Sequence, residues 1–244
     1  MIKNKKILCI IPARKNSRGL KNKNIKIVNN KPLIGWSISA ALNSKYIDDV
    51  IVSTDSKKIF DIANNLGAST PFIRPAHLAK DESPTCDVIM HAFSKIKNLT
   101  DNYDYFVLLE PTSPLTESSD IDSALEKMVK QESTSLVSVA KVTESHPSFC
   151  VELTQDDIMI PINKNNMKNI PRRQDVKPLY FYDGSLYISE IEEFIKQKSF
   201  FHDKTMGHVM PLWKSIEVDS MLDFYIVETI FKNMDELRNI ANES

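Results

Sequence analysis

Between residues 6 and 141 the chain alternates short apolar runs with stretches of helical periodicity, and that alternation leaves few folds open. Strands are predicted at 6–12, 49–54, 104–109 and 135–141. Val50-Ile51-Val52 and Phe106-Val107-Leu108-Leu109 are apolar without interruption, as in strands covered on both faces. Helices are predicted near 33–44, 57–66, 85–97 and 118–131. The third is expected to open at Ser83-Pro84, a capping residue followed by proline, and the fourth at Ser118-Ser119-Asp120. The pattern predicts an α/β fold, a mostly parallel sheet with helices on both faces.

The pattern breaks from about 142 to 180. Thr154–Asp157 and Asn163–Asn166 read as turns with short β runs between them. Long irregular stretches are rare inside a compact domain, so an exposed arm or lid is expected. Asp183-Gly184 then precedes a predicted strand, Ser185–Ser189, and a last helix is predicted at roughly 221–240. With 244 residues and 42% hydrophobic content the chain can bury one core with an appended arm. The expectation is a single catalytic domain over 1–244, with about 142–205 as an inserted arm. Phe149, Phe200 and Phe201 fall in that arm. Exposed aromatics need a covering surface, which predicts a homodimer.

The first strand runs into a basic loop. Arg14, Lys15, Arg18, Lys21 and Lys23 are interleaved with Ser17, Gly19, Asn22 and Asn24, and no Asp or Glu occurs between Met1 and Ile47. The formal net charge of the whole chain is only -1, so the block is a local asymmetry. Cations at the carboxyl end of a parallel strand are where α/β proteins hold anionic ligands. Arginine offers a planar fork to phosphate and lysine a compact charge. A solvated turn is the competing reading. A nucleic-acid face is disfavoured, because no aromatic is interleaved in the loop.

Absent motifs narrow the chemistry further. Neither G-x-x-x-x-G-K-[ST] nor G-x-G-x-x-G is present, and there are five glycines in all. The five histidines lack ligand-like spacing. Cys9, Cys86 and Cys150 are widely separated and read as buried thiols in a reducing compartment. No apolar run reaches the ~20 residues of a membrane span. A cytoplasmic enzyme is expected, without membrane or nucleic-acid partners. Near the end, Ser215-Ile216-Glu217-Val218-Asp219 alternates so that a strand would turn Glu217 and Asp219 to one face. That pair suits Mg²⁺ beside a phosphate site; alternatively it caps the following helix, as Asp219-Ser220 resembles an N-cap.

Taken in order, Ile11-Pro12-Ala13-Arg14-x-x-Ser17-x-x-Leu20-x-x-Lys23-Asn24, Ser53-Thr54-Asp55, Arg74-Pro75-Ala76, Pro111-Thr112-Ser113-Pro114-Leu115 and Pro171-Arg172-Arg173-Gln174 resemble the acylneuraminate cytidylyltransferases. The resemblance spans residues 7 to about 225. It implies a Rossmann-like nucleotidyltransferase that moves CMP from CTP to the anomeric hydroxyl of a nonulosonic acid, releasing pyrophosphate with Mg²⁺. A relative acting on another 2-keto-3-deoxy sugar acid, such as 3-deoxy-manno-octulosonate, and a non-catalytic nucleotide binder are the alternatives. By similarity Arg14, Ser17, Lys23 and Asn24 cradle the triphosphate, with Arg14, Lys23 and Asp219 as catalytic groups. Arg74 and the Ser83–Thr85 turn resemble the cytosine-reading segment; for Arg74 a structural ion pair is the competing reading. Glu217 and Asp219 match the metal-binding acids, the first being more often Asp.

On the sugar side the resemblance implies Glu110, Thr112, Ser113, Arg173 as partner of the sugar carboxylate, and Phe200 and Phe201 as an aromatic pair reaching a neighbouring subunit. Here the sequence departs from the sialate pattern. Glu110 stands where Gln is common, Phe149 where some members carry a Lys, and Tyr180-Phe181-Tyr182 where an Arg is sometimes found. Fewer cations and one more acid suggest a legionaminate-type sugar, a di-N-acylated 9-deoxy acid, although core packing explains the aromatics equally well.

Overall fold

The structure is a computed structural model and describes residues 2–162 and 171–243. In chain order, β1 (Ile7–Pro12) leads through the basic loop to a small hairpin, β2 (Ile27–Val28) and β3 (Lys31–Pro32). There follow α1 (Leu33–Leu42), β4 (Asp49–Ser53), α2 (Lys57–Asn65), α3 (Thr85–Ser94), α4 (Leu99–Asn102), β5 (Tyr105–Leu109), α5 (Ser118–Lys130) and β6 (Ser135–Lys141). The arm carries β7 (Val151–Leu153) and β8 (Met159–Pro161). The chain closes with β9 (Tyr180–Glu190), α6 (Ile191–Gln197), β10 (Met206–Met210), α7 (Met221–Lys232) and α8 (Met234–Glu243).

The main sheet has six strands in the order β10-β6-β9-β5-β1-β4. Only β9 runs antiparallel to its neighbours, β5 and β6. Side chains alternate across a strand, so each apolar run feeds two cores. Ile7, Cys9 and Ile11 pack with Ile38, Ile59, Leu125 and Met128 of α1, α2 and α5. Leu8 and Ile10 face the other way, towards Ile89 and Phe93 of α3 and Phe194 of α6. There Phe106 meets Phe93, Phe194 and Phe200 at centroid distances of 5.0, 4.9 and 5.3 Å. Emptying such a site by Phe106→Ala costs ~3–5 kcal/mol.

Local chemistry moved several boundaries. Ser83 does not cap α3; its Oγ donates to the His77 carbonyl at 3.0 Å, and Pro84 holds the cap position. The last helix breaks in two at Asn233, whose side chain donates to the Thr229 carbonyl at 2.8 Å and competes with the helical ladder. Residues 215–219 form no strand. They run as a strap between the Leu212–Lys214 turn and α7, with Val218 fully buried and its N–H donating to the Thr112 carbonyl at 2.8 Å. Asp183-Gly184 lies inside β9 rather than ahead of it. β10 and α6 were not anticipated, because Met206–Met210 is half exposed and lacks a strong apolar signal. Of the thiols, Cys9 is buried while Cys86 and Cys150 are partly exposed.

The turn at Thr154–Asp157 does join two short strands, and the expected turn at Asn163–Asn166 lies outside the described residues. The β7–β8 hairpin leaves Leu153, Ile158, Met159, Ile160 and Ile162 exposed. Among the described residues no helix is long and apolar enough to cross a membrane.

Candidate active site

The basic loop leaves the carboxyl end of β1 and is tied down by its own polar residues. Asn24 Nδ2 donates to the Arg14 carbonyl at 2.9 Å, and the Lys15 N–H donates to Asp55 Oδ1 at 2.7 Å, just beyond β4. Asn22 turns the chain in the left-handed region, at φ 56°. A side chain at Gly19 is excluded, since a Cβ there would stand 2.1 Å from the Asp219 carbonyl oxygen. That close approach locks the basic loop against the acidic strap.

A cleft of about 250 Å³ opens beside the basic loop. Arg14, Ser17, Lys23, Asn24, Arg74, Ser83 and Thr85 all line it, together with Asp81, Glu110 and Thr112. All seven residues read from sequence as nucleotide ligands therefore meet in one cavity. A larger cavity of about 430 Å³, bordered by Trp36, Phe231 and Arg238, contains none of these groups. The cations of the basic loop are held by acids: Arg14 pairs with Asp81 Oδ1, Arg18 Nε lies 2.6 Å from Asp81 Oδ2, and Lys23 Nζ lies 2.7 Å from Asp219 Oδ1. The hydrogen bonds from Arg18 and Arg14 hold the Asp81 carboxyl below its usual range.

Arg74 forms no ion pair among the described residues. It is 4% exposed, and its Nη2 donates to the Ser53 carbonyl at 2.6 Å, so it braces the end of β4 from the cleft wall. Burial lowers its pKa. Its Nε has no partner among the described residues.

Two acids carry raised proton affinity. Burial, then the charge of Glu217, pushes Glu110 up to about 7. Burial, then Asp219 and Asp183, pushes Glu217 up to about 7, with Lys23 opposing. The helix-cap reading of the acidic pair fails, because Ser220 Oγ accepts from the Asp223 N–H and Asp223 accepts from the Ser220 N–H in a complete capping box. Neither Glu217 nor Asp219 lines the cleft itself, but Asp219 pairs with Lys23 of the cleft wall and the charge of Glu217 is felt by Glu110 of the same wall. Hard carboxylate oxygens in that setting fit Mg²⁺, which commonly takes one or two carboxylates and completes its shell with phosphate and water. No group of three or more His, Cys, Asp or Glu among the described residues makes a closed metal cage.

The sugar-side residues are gathered less completely. Glu110 and Thr85 also line a second cavity, about 240 Å³, with Cys86, Leu108, Tyr187, Lys198, Phe200 and Phe201. Tyr187 and Lys198 were not read from sequence as site residues, as only the β9 register and the α6 terminus bring them here; Cys86, read only as a thiol, follows Thr85 in the first turn of α3. Phe200 is not an exposed aromatic: it is 7% exposed and packs on Phe106 and Phe194, whereas Phe201 is open and meets Tyr182 edge-on. Phe149 is half-buried against His146. Ser113 is also enclosed, its Oγ buried without a partner among the described residues. Arg173 lies on the arm, its Nη1 donating to Glu144 Oε1 at 2.6 Å, and lines neither cavity.

Comparison with known proteins bears on this cleft. Residues 8–217 match the profile of a family described as cytidylyltransferases. The chain belongs to the cytidylyltransferase family. It is 32% identical, over 93% of its length and 97% of the relative's, to the CMP-N,N'-diacetyllegionaminic acid synthase of Legionella pneumophila. It is 36% identical to the N-acylneuraminate cytidylyltransferase of Streptococcus agalactiae over 90% of this chain, spanning 52% of that longer protein. Its fold matches the CTP complex of CMP:2-keto-3-deoxy-manno-octonic acid synthetase with TM-score 0.66 at 15% identity, covering 94% of this chain and 99% of that one. The chain is a nucleotidyltransferase with the Rossmann-like α/β architecture of this family.

Proposed function

We propose that this cytidylyltransferase transfers CMP from CTP to the anomeric hydroxyl of a nonulosonic acid and releases pyrophosphate. The observation that carries the reading is the convergence of all seven expected nucleotide residues on one cleft that shares Glu110 with a second, aromatic-lined cavity. In outline, Arg14, Ser17, Lys23 and Asn24 cradle the triphosphate. The sugar acid enters the adjoining cavity with its hydroxyl directed at the α-phosphorus. Attack loads negative charge onto the phosphoryl oxygens and the leaving pyrophosphate, and fixed cations in a narrow cleft stabilise that charge more than the ground state. Nucleotide binding draws Arg14 and Arg18 from Asp81. Mg²⁺, held through Glu217 and Asp219, would supply further positive charge on the phosphates.

The sugar is a di-N-acylated, 9-deoxy acid of the legionaminate type. A carboxyl at Glu110 accepts hydrogen bonds from hydroxyl or amide N–H groups, and repels a second anion when ionised. Phe200, Phe201 and Tyr187 give the cavity apolar walls. The arm, with its exposed apolar hairpin, Phe201 and Arg173, belongs to the interface of a homodimer and brings Arg173 to the partner's sugar carboxylate. A cytoplasmic setting, where CTP is available, suits three unpaired thiols.

Pyrophosphate release from CTP, measured across a panel of sugar acids, tests the reading. Di-N-acetyllegionaminate should give the highest kcat/KM, and Glu110→Gln should narrow its lead over N-acetylneuraminate by about tenfold. A wild-type preference for N-acetylneuraminate removes the sugar assignment; no release with any sugar acid removes the transfer reaction.

A further inference from the structure

β9 carries a defect beside the acidic strap. Val137 pairs with Tyr187 and Val139 with Tyr182, so the single residue Ser138 of β6 faces four residues of β9, Asp183 to Leu186. Extra residues on one strand make a bulge, a device that re-aims the chain near functional sites. This bulge is pinned from within. Ser138 Oγ donates to Asp183 Oδ1 and accepts from the Leu186 N–H at 2.9 Å, while the Ser185 N–H donates to the same Oδ1 at 3.2 Å.

Gly184, at φ +69°, forms the open side of the bulge, and the Glu217 carboxylate rests on it. A Cβ at that position would lie 1.8 Å from Glu217 Oε1 and 2.6 Å from its Cδ. Asp183 itself is 1% exposed, and its Oδ2 has no hydrogen-bond partner among the described residues. A half-satisfied buried carboxylate is costly, and the β6–β9 ladder resumes on both sides without it. Sheet continuity therefore does not account for the residue; the seat it shapes for Glu217 does.

We propose that Asp183 is a positioning residue, which with Ser138 holds the β9 bulge in the form that seats Glu217 on Gly184, within electrostatic reach of the cleft residues Glu110 and Lys23. The proposal rests on the reading of Glu217 as a cation ligand. Asp183 acts through hydrogen bonds to Oδ1 and does not itself touch the cation. Partners that orient a metal ligand are commonly worth ~10–100-fold in metal affinity.

Mn²⁺ titrated into the full chain and followed by electron paramagnetic resonance reads the site without turnover. Asp183→Ala, Ser138→Ala and Gly184→Ala should each weaken Mn²⁺ binding by ~10–100-fold, with CTP affinity in chelator unchanged. Asp183→Asn keeps an oxygen for both donors and should stay close to wild type. Ser138→Ala breaks the same lock while sparing the carboxylate, and so covers the case in which Asp183→Ala fails to fold. Wild-type Mn²⁺ affinity in Ser138→Ala or Asp183→Ala overturns the proposal. So does an Asp183→Asn variant as weak as Asp183→Ala, which would make charge rather than geometry the cause. If wild type itself binds no Mn²⁺ while Arg14→Ala still loses transfer, the cation-site reading fails and takes this proposal with it, but the transferase reading stands.

Discussion

Two arginines summarise the difference between the halves of this site. Arg14 stands on a loop fixed at both ends, its carbonyl held by Asn24 and its guanidinium by Asp81, with a side chain 29% exposed. Arg173 stands on the arm, 67% exposed, and among the described residues its ion pair is with Glu144, which is equally open. The nucleotide half is assembled by the carboxyl ends of β1 and β4 and the segments following β4 and β5, all from one chain. The sugar half joins an enclosed aromatic wall to a segment that reaches away from the cleft. Phosphate is a generic anion that a sheet edge can hold with preset charges, whereas a specific sugar requires shape from several directions. The first is built early in the chain and the second is deferred to the arm.

The largest effect should come where the two halves meet the acidic strap. Asp219→Asn should lower Mg²⁺-dependent turnover by ~100-fold or more, since an interaction developing with the reacting phosphates is lost. Its melting temperature should hold, because Ser220 and Asp223 cap α7 without it. A loss of stability with activity intact at high Mg²⁺ would return the acid to a structural role. Next, Arg14→Ala should lower kcat/KM by ~10–100-fold, as expected for one charge-assisted phosphate contact. The discriminating measurement is a thermal melt alongside the kinetics, and near-wild-type turnover would mean the loop is only a solvated turn.

Arg173→Ala should cost less, about tenfold, and should appear in KM for the sugar acid while KM for CTP is unchanged. Mixing subunits sharpens the contrast. If the arm serves the partner's site, a dimer of one Arg14→Ala and one Arg173→Ala subunit places both defects in one site and leaves the other site intact. Co-expressed chains with different tags should therefore give about half of the wild-type kcat/KM for the sugar acid, above either parent variant. Failure of purified mixed dimers to reach it would place Arg173 in its own chain's site or outside catalysis.

The same division governed what could be read from the sequence. β1, β4 and β5 are legible because uninterrupted apolar runs are forced by burial on both faces, and the cleft follows from the loop that leaves β1. The strap at 215–219 was legible in composition and not in conformation: its alternation is real, yet it bonds to the Thr112 carbonyl rather than to a strand. Phe200 was misread because an aromatic pair in an irregular segment gives no sign of which ring turns inward; packing on Phe106 decides it. Tyr187 and Lys198 were invisible, since the bulge and antiparallel register of β9 that bring them to Glu110 have no local signature. Asp183-Gly184 even carries the signature of a turn, and only its pairing with Ser138 shows otherwise.

The smallest effect concerns Glu110, where the halves share a side chain. Its proton affinity is raised in the folded protein to about 7, chiefly by burial and then by Glu217. An unfolded chain releases that proton near the ordinary carboxyl value of 4.5. Stability from the protonated form is therefore complete below that value and is lost as pH rises through about 7. The loss is about 1–3 kcal/mol after allowance for screening at the cleft mouth. Glu110→Gln carries no charge at any pH and should escape it. Without divalent ions, the variant should melt several degrees above wild type at pH 8, at ~2–4 °C per kcal/mol for a chain of this size, and should lose that advantage at pH 4.5. An advantage equal at both pH values would mean that the substitution improves packing, and that Glu110 is not the strained acid joining the nucleotide and sugar cavities.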